Sequence, residues 1–489
     1  MMVKKPASLL AVATRSGRGR YYGLPGETMA LPGAPPGREP EPGLDGRIVR
    51  IAVPSLFALA LDPILNVVDT AFVGLGGGGA APLAAVSAST SFFGFVFACT
   101  NCFASAGTPL VAAELKPGGG GEAGALALGS SIVRSALLVG LVLALAAEAV
   151  SGPAMDLFAP AYELHGAAVD FSRLRALSAP AVVAAAALNG SLRGLGDASS
   201  ALKAASLAAV VNVLLDIALI YGLGMNPNGA AIATACAEYA AAAYLGAVFR
   251  SRRRALGGDV AAAEAALDPG AGASTFATAA AYTLVRTASL QVFLAATTAY
   301  IGTAAADPAA ELAAHLVLKQ FYLVLSFATD ALAVAAQQLV ASAPDAAAAR
   351  AVARRLLAWG LVVGVVFAAA LYVAPPQLLT SDAAVAAAAE DELRRVVAPL
   401  QVLSSLVFVG DGVLQGSRDF TFEAYAVSAA ALVAAATLFA PVDGRDALSA
   451  AWDAIAVLNG CRFLAFAYRF YARGPLVARA EDGDAEGKV

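Results

Sequence analysis

Apolar runs long enough to cross a bilayer recur about twelve times along the chain. A window of about 19 residues places them near 48–74, 83–113, 126–150, 168–192, 198–221, 228–250, 274–303, 309–341, 352–374, 392–416, 420–440 and 448–472. A helix rises ~1.5 Å per residue, so ~20 apolar residues span the hydrocarbon core. Each run is read as a transmembrane helix, and the predicted fold class is an all-α polytopic membrane protein. Pro54, Pro63, Pro109, Pro180 and Pro399 lie inside these runs. Neighbouring helices can satisfy the carbonyls that a proline leaves unpaired.

Polar residues interrupt the pattern with helical spacing. In the first run, Asp62, Asn66 and Asp69 stand four and three apart, so they share one helical face. In the fifth, Asn212 and Asp216 stand four apart. A charge at mid-bilayer costs about 2.5–3.5 kcal/mol on insertion scales, so such carboxylates face a cavity and mark an ion path or proton relay. The second half carries the opposite sign as well. Arg286 lies near the middle of the seventh run, and Lys319 with Gln320 lies in the first third of the eighth. These cations either meet an anionic substrate, for which guanidinium is well shaped, or pair internally with Asp330 or Asp411.

Charges between the runs set the orientation. Arg250, Arg252, Arg253 and Arg254 follow the sixth run, Arg350, Arg354 and Arg355 follow the eighth, and Arg473 and Arg479 follow the twelfth. The connection after the seventh run holds only Asp307 and Glu311. Arg394, Arg395 and Arg445 oppose the trend without outweighing it. By the positive-inside rule both ends of the chain face the cytoplasm or its organellar equivalent.

The chain also repeats itself. LAAVSASTSFF at 83 aligns with LAAHLVLKQFY at 312, an offset of 229, and LRGLGD at 192 aligns with LQGSRD at 414, an offset of 222. Six runs per half imply a parallel repeat about an axis along the membrane normal, with the site in the cleft between halves near mid-membrane. The expected organisation is a leader over 1–47, an N-lobe over 48–250, an interlobe loop over 251–273, a C-lobe over 274–472 and a polar tail over 473–489.

Composition agrees. Of 489 residues 59% are hydrophobic and 14% charged, with mean hydropathy +0.71, against about 25% charged in soluble domains. The net charge of −4 gives no nucleic-acid surface. Two histidines far apart exclude a His-based metal cluster. Cys99 and Cys102 form a lone CxxC inside an apolar run, which reads as packing. In the leader, Lys4, Lys5, Arg15, Arg18 and Arg20 precede the first acid, Glu27. Such a segment reads as an organelle transit peptide or as a disordered tail. Aromatics at Phe92, Phe93, Phe95 and Phe97, with Phe321 and Tyr322, line a cavity or pack against neighbours.

Five stretches carry a family resemblance: DPILNVVDTAFVG (62–74), LNGSLRGLGDASSAL (188–202), GAAIATACAEY (229–239), TDALAVAAQQLVA (329–341) and FVGDGVLQGSRDF (408–420). Together they resemble the multidrug and toxic compound extrusion (MATE) antiporters over nearly all of 48–472. They look most like the plant and algal subgroup related to bacterial DinF-type members, which includes exporters of citrate and phenolic acids. The resemblance implies twelve transmembrane helices in two pseudo-symmetric six-helix lobes around a central V-shaped cavity. It also implies export driven by inward H⁺ or Na⁺. It assigns a cation-coupling role to Asp69, Asn212, Asp216 and Thr234, and a helix kink to Pro54. Asp69 and Asp216 would exchange one proton, or share a Na⁺ with Asn212 and Thr234. Asp411 matches an acid of the tenth helix, but the seventh lacks the partnering acid of many plant relatives. The expected cavity residues are Arg286, Lys319, Gln320, Asp330 and Asp411. The expected partners are the lipid bilayer and a small-molecule substrate, with no nucleic acid, no cofactor beyond the coupling ion, and a monomeric state. A chloroplast envelope is the favoured membrane. Organic-anion export competes with a drug-type exporter of cationic or neutral amphiphiles, and with a flippase of lipid-linked precursors. No Ser/His/Asp or Cys/His constellation supports an enzyme.

Overall fold

The computed structural model of the chain describes residues 43–75, 86, 89, 93–94, 96–158, 162–267, 269–378, 380, 382–440 and 445–476. Among them all regular structure is helical. Eleven stretches are long and apolar enough to cross a membrane, and one bent pair completes a twelfth.

The first half comprises α1 (Leu44–Leu75), α2 (Cys102–Ala113), α3 (Gly121–Phe158), α4 (Tyr162–Ala176), α5 (Ala179–Gly194), α6 (Ser199–Asp216) and α7 (Asn228–Leu256). A short α8 (Gly258–Ala266) follows. The second half comprises α9 (Pro269–Ala304), α10 (Pro308–Ala341), α11 (Ala346–Val373), α12 (Ala383–Glu392), α13 (Ala398–Gly416), α14 (Phe420–Leu438) and α15 (Ala447–Tyr471). A π-helical turn, Ile217–Gly222, extends α6, and another, Leu393–Val397, joins α12 to α13 into one span.

Three local expectations change. The fourth span is not one helix: α4 and α5 meet at 44°. Pro180 sits in the first turn of α5, where its missing N–H costs nothing, and the chain breaks just ahead of it. The stretch 251–273 is not an irregular loop. After α7 ends at Gly257 (φ 48°), α8 buries Val260 against Leu126, Leu245 and Phe249. Arg253 holds Glu264 of α8 at 3.1 Å. The first helix starts before 48, at Leu44, because Asp45 in its first turn accepts two bonds from Arg355 (2.7 and 2.6 Å) and one from Trp359 (3.0 Å). An acid there also complements the helix dipole.

The repeat is visible in how helices touch. A Cβ added at Gly190 would lie 2.8 Å from Ala104 O, and one at Gly412 would lie 2.5 Å from Ala333 O. Gly194 approaches Val111 of α2 as Gly416 approaches Val340 of α10. Gly140 of α3 lies against Ala179 and Pro180, as Gly364 of α11 lies against Gln401 and Val402. Small residues let membrane helices pack backbone to backbone, where van der Waals contact replaces the hydrophobic drive. The offsets of 222 and 229 seen in the sequence relate the first two of these contact pairs, while Gly140 and Gly364 stand 224 apart.

The two halves share a core at the arginine-rich end. Ile48 and Ile51 of α1 are buried with Leu339, Val340, Leu356, Phe466 and Phe470 of the second half. Phe103 meets Phe276 at 5.3 Å, and the Asp45–Arg355 pair ties α1 to α11. At the opposite end the clusters stay within one half. Val73, Phe171 and Ile220 group in the first, and Leu371, Leu400, Leu438 and Leu448 group in the second. Among the described residues, the halves are therefore joined at the arginine-rich end.

Substituting Gly412 by Val tests the glycine contact. Its Cβ would overlap Ala333 O, and overpacking of this kind costs about 1–3 kcal/mol. The variant is expected to lower the thermal unfolding midpoint and the folded yield in detergent, while Gly460→Ala, which meets nothing within 4 Å, leaves both unchanged.

Candidate functional site

Three helices of the first half bring Asp69, Asn212, Asp216 and Thr234 together. Asn212 and Asp216 lie one turn apart on the same face of α6, and both are buried. Thr234 Oγ1 of α7 lies 3.3 Å from Asp69 Oδ2 of α1 and 3.5 Å from Asn212 Nδ2. The same hydroxyl donates to Ala230 O at 2.8 Å. It has one proton, so the bonds to Ala230 and Asp69 compete. The Asp69 and Asp216 carboxyls interact directly with each other, yet both are acceptors when ionised. Neither oxygen of Asp216 meets a donor, nor do Asp69 Oδ1 and Asn212 Oδ1.

Buried polar atoms seldom stay unpaired. Acceptors facing acceptors are satisfied in two ways. A proton can lie between the carboxyls, or a hard cation can take several oxygens at once. The donor set of two carboxylates, an amide oxygen and a hydroxyl suits the second as well as the first. Among the described residues no three His, Cys, Asp or Glu side chains form a metal site. One further pair attends this cluster. Arg175 of α4 holds Glu238 of α7 at 3.1 Å, stacks near Phe97 (5.6 Å) and Phe93 (6.0 Å), and acts electrostatically on Asp69. The side chains of Asp62, Asn66, Phe92 and Phe95 lie outside the described residues.

The second half builds a different kind of cluster. Asp411 Oδ2 of α13 accepts from Arg286 of α9 and from Arg462 of α15, both at 2.5 Å. Arg286 Nε also lies 2.6 Å from Glu423 Oε1 of α14. Gln415 donates to Glu423 at 2.8 Å and accepts from Gln337 at 2.7 Å. On the other side, Arg462 donates to Asn459 (3.1 Å), Asn459 reaches Tyr322 (3.4 Å), and Tyr322 donates to Ser404 (3.0 Å). Two guanidiniums and two carboxylates cancel in charge, and the amides and hydroxyls extend the network through five helices.

Arg286 is thus paired internally, with Asp411 and Glu423. Asp330 makes no hydrogen bond to a described residue, though Arg286, Arg462 and Asp411 act on it electrostatically. Lys319 is half-buried one turn after the buried His315, whose ring it influences, and Gln320 is exposed. Pro54 lies inside an unbroken α1, three residues beyond Ile51 of the shared core. Cys99, Cys102, Cys236 and Cys461 are all unbonded.

Depth separates the two clusters, against the expectation of one mid-membrane site. Asp69 stands six residues from the Leu75 end of α1, about 9 Å at ~1.5 Å per residue. Asp411 stands five residues from the Gly416 end of α13, and Gly416 lies at the opposite, arginine-rich end. The first cluster lies toward the end of the bundle away from the arginines, called here the outer end, and the second toward the arginine-rich end, the inner one. Arg175, Glu238, Glu423, Arg462, Gln337, Gln415 and Asn459 were not predicted. Glu423 and Arg462 gave the same signal as Arg286, a charge inside an apolar run, and Glu238 lies within the stretch 229–239.

Two pseudo-symmetric six-helix halves with charged clusters between membrane-spanning helices define an integral, multi-pass transporter. A family profile described as MatE matches residues 54–218. The chain is 32% identical over 459 residues to Protein DETOXIFICATION 44, chloroplastic, of Arabidopsis thaliana, covering 89% of this chain and 85% of that protein. It is 27% identical over 463 residues to Protein DETOXIFICATION 45, chloroplastic, of the same plant, covering 88% and 79%. DNA damage-inducible protein F of Escherichia coli (strain K12) is 30% identical over 206 residues, covering 40% and 42%. A solved outward-facing multidrug resistance MATE family transporter of the MOP superfamily shares the fold, with a TM-score of 0.72 at 17% identity over 89% of this chain and 97% of that one. A MOP superfamily transporter from Pyrococcus furiosus gives 0.71 at 16%, over 87% and 95%. The chain belongs to the MATE family of transporters.

Removing one member of the inner cluster should be costly. Asp411→Ala leaves Arg286 and Arg462 facing each other, and breaking a buried ion pair on one side costs about 3–5 kcal/mol. The expected result is a variant that aggregates on solubilisation by size-exclusion chromatography. Asp411→Ala combined with Arg462→Met, which removes a charge of each sign, is expected to recover part of the monodisperse yield.

Proposed function

We propose that the protein is a secondary active antiporter that exports small organic anions, such as citrate or phenolic acids, in exchange for H⁺ or Na⁺. Coupling is assigned to Asp69 and Asp216, with Asn212 and Thr234 completing the set. The observation that carries this reading is the outer cluster itself, two carboxyls in contact with four donorless oxygens among them and Asn212. Such a set has a strong reason to take up one cation and release it when the surroundings change. A tenfold proton gradient supplies about 1.4 kcal/mol per proton. Neutralising one carboxyl removes the repulsion between α1 and α6 and lets α1 repack, which biases the balance between the two access states.

An anionic substrate is supported by Arg286 and Arg462 in the second half. Their guanidiniums are held by Asp411 and Glu423 in this conformation, so a substrate carboxylate would exchange for an internal one with little change in charge. The chloroplast envelope is the membrane favoured by the names of two relatives. A second reading, export of a cationic amphiphile, draws on Asp330, a half-buried acid without a hydrogen bond to a described residue.

Citrate efflux from proteoliposomes under an imposed ΔpH, with and without a Na⁺ gradient, separates these readings. Wild-type efflux is expected to follow one gradient, and Asp69→Asn or Asp216→Asn is expected to reduce the coupled rate at least tenfold. Movement of a cationic dye with citrate retained would replace the anion reading by the second. Undiminished coupled efflux in Asp69→Asn would sink the assignment of coupling to the outer cluster.

A further inference from the structure

His315 is one of two histidines in the chain and is 1% exposed. Its neighbours Ala314 and Leu318 belong to the apolar cluster that takes in Ile301 of α9 and Leu448 and Trp452 of α15. The repeat gives the comparison. At the offset of 229 the equivalent residue is Val86, buried with Val73, Phe171 and Ile220. A valine serves the packing at this position in the first half. The imidazole of the second half brings two nitrogens that need partners, and burial makes each unmet partner costly.

Thr298 of α9 fixes where the ring proton sits. Its Oγ1 donates its one proton to Leu294 O at 3.2 Å and lies 3.4 Å from His315 Nε2. Nε2–H is therefore the donor of that pair, and Nδ1 carries the lone pair. Nδ1 is buried and meets no donor among the described residues. The Trp452 ring lies 5.7 Å from the imidazole, tilted by 56°, and its buried Nε1–H meets no acceptor among them. A basic nitrogen left without a donor is a place for a proton.

The surrounding charges decide what that proton would do. Lys319 stands one turn inward on α10, half-buried, and makes no ion pair among the described residues. Glu311, one turn outward, accepts from Leu448 N at 3.1 Å and so caps the start of α15. At this level α9 offers Thr298 and Tyr300, whose ring packs on Phe439 at 5.5 Å. The helix α12, which also packs on α10, brings Glu392, but that acid is bound by Arg395 and by Ser449 Oγ. Asp453 of α15 is bound by Arg395 as well. An imidazolium here would face an ammonium and no free carboxylate. It is accommodated only when α10 moves away from α9 and α15, so that water or Glu311 reaches the ring.

We propose that His315 is a proton-binding site of the second half, and that its protonation loosens α10 from α9 and α15. The residue stands seven positions from the Pro308 end of α10, about 10 Å at ~1.5 Å per residue. That is close to the depth of Asp69 in the first half, so each half holds a titratable site near its outer end. Tyr322 follows two turns inward on the same face, edge-on to Trp452 at 6.1 Å. Through Asn459 it reaches Arg462 and Asp411. A shift of α10 at His315 therefore bears on the contacts that hold the inner cluster. What it regulates there rests on the antiport reading; the proton site itself does not.

The chain has two tryptophans, Trp359 and Trp452, so Trp359→Phe leaves Trp452 as the sole reporter. A protonated imidazole quenches an indole packed against it. In this parent, emission and the thermal unfolding midpoint of the purified full chain are followed in detergent from about pH 8 to about pH 4. His315→Val copies the first half, and His315→Gln keeps a donor for Thr298. We expect a one-proton loss of Trp452 emission in the parent that both variants lack. The parent's midpoint is expected to fall relative to both variants over the same pH range. Equal emission profiles in parent and variants overturn the proton site. A one-proton step with parallel midpoints overturns the loosening. Transport is not the readout, so the antiport reading stands or falls separately.

Discussion

Asp69 and Asp216 meet inside a membrane protein with no donor between them, and much of the first half can be understood as holding that contact in place. Left ionised, the pair would push α1 away from α6. Asn212 and Thr234 soften this only in part, because the Thr234 proton is contested by the Ala230 carbonyl. Arg175 lends positive charge but is tied to Glu238. The cluster is therefore built one cation short. A protein at equilibrium fills that deficit from its surroundings, and a pump makes use of the filling.

The second half solves the same problem differently. Its carboxylates, Asp411 and Glu423, are matched by Arg286 and Arg462, and amides occupy the remaining hydrogen-bonding positions. A cluster with no net deficit holds helices together and changes state only when something competes for a partner. On the proposed function, one half is poised toward a small cation and the other toward an exchange of anions. Their separation in depth means that the two events need not meet at one point.

The repeat explains how two such different clusters share one scaffold. Gly190 and Gly194 seat α5 on α2 as Gly412 and Gly416 seat α13 on α10. These contacts are backbone to backbone, so they set helix spacing without regard to which side chains face the cavity. The polar residues are then free to diverge between halves. Among the described residues Asp69 and Asp216 have no carboxylate pair opposite them in the second half, and Arg418 (φ 61°) stands where the first half keeps Gly196 (φ 81°).

The sequence by itself determined the number of spans, the repeat and its offsets, and four residues that gather in the outer cluster. The spans and the repeat follow from apolar length and local motifs, whereas the four residues, Thr234 above all, were implied by the family resemblance. Bilayer thickness and the need to pair every backbone group leave few alternatives to a helix, so local reading succeeds. The tertiary structure alone decided who partners whom. Arg286 could reach Asp330 or Asp411 by sequence, and Glu423 becomes its partner only where α9, α13 and α14 converge. The bend between α4 and α5, the docking of α8 and the joining of the halves through Ile48 and Ile51 are likewise matters of packing. Charge pairing across helices depends on rotation and depth, and neither is written in any one of the helices that meet.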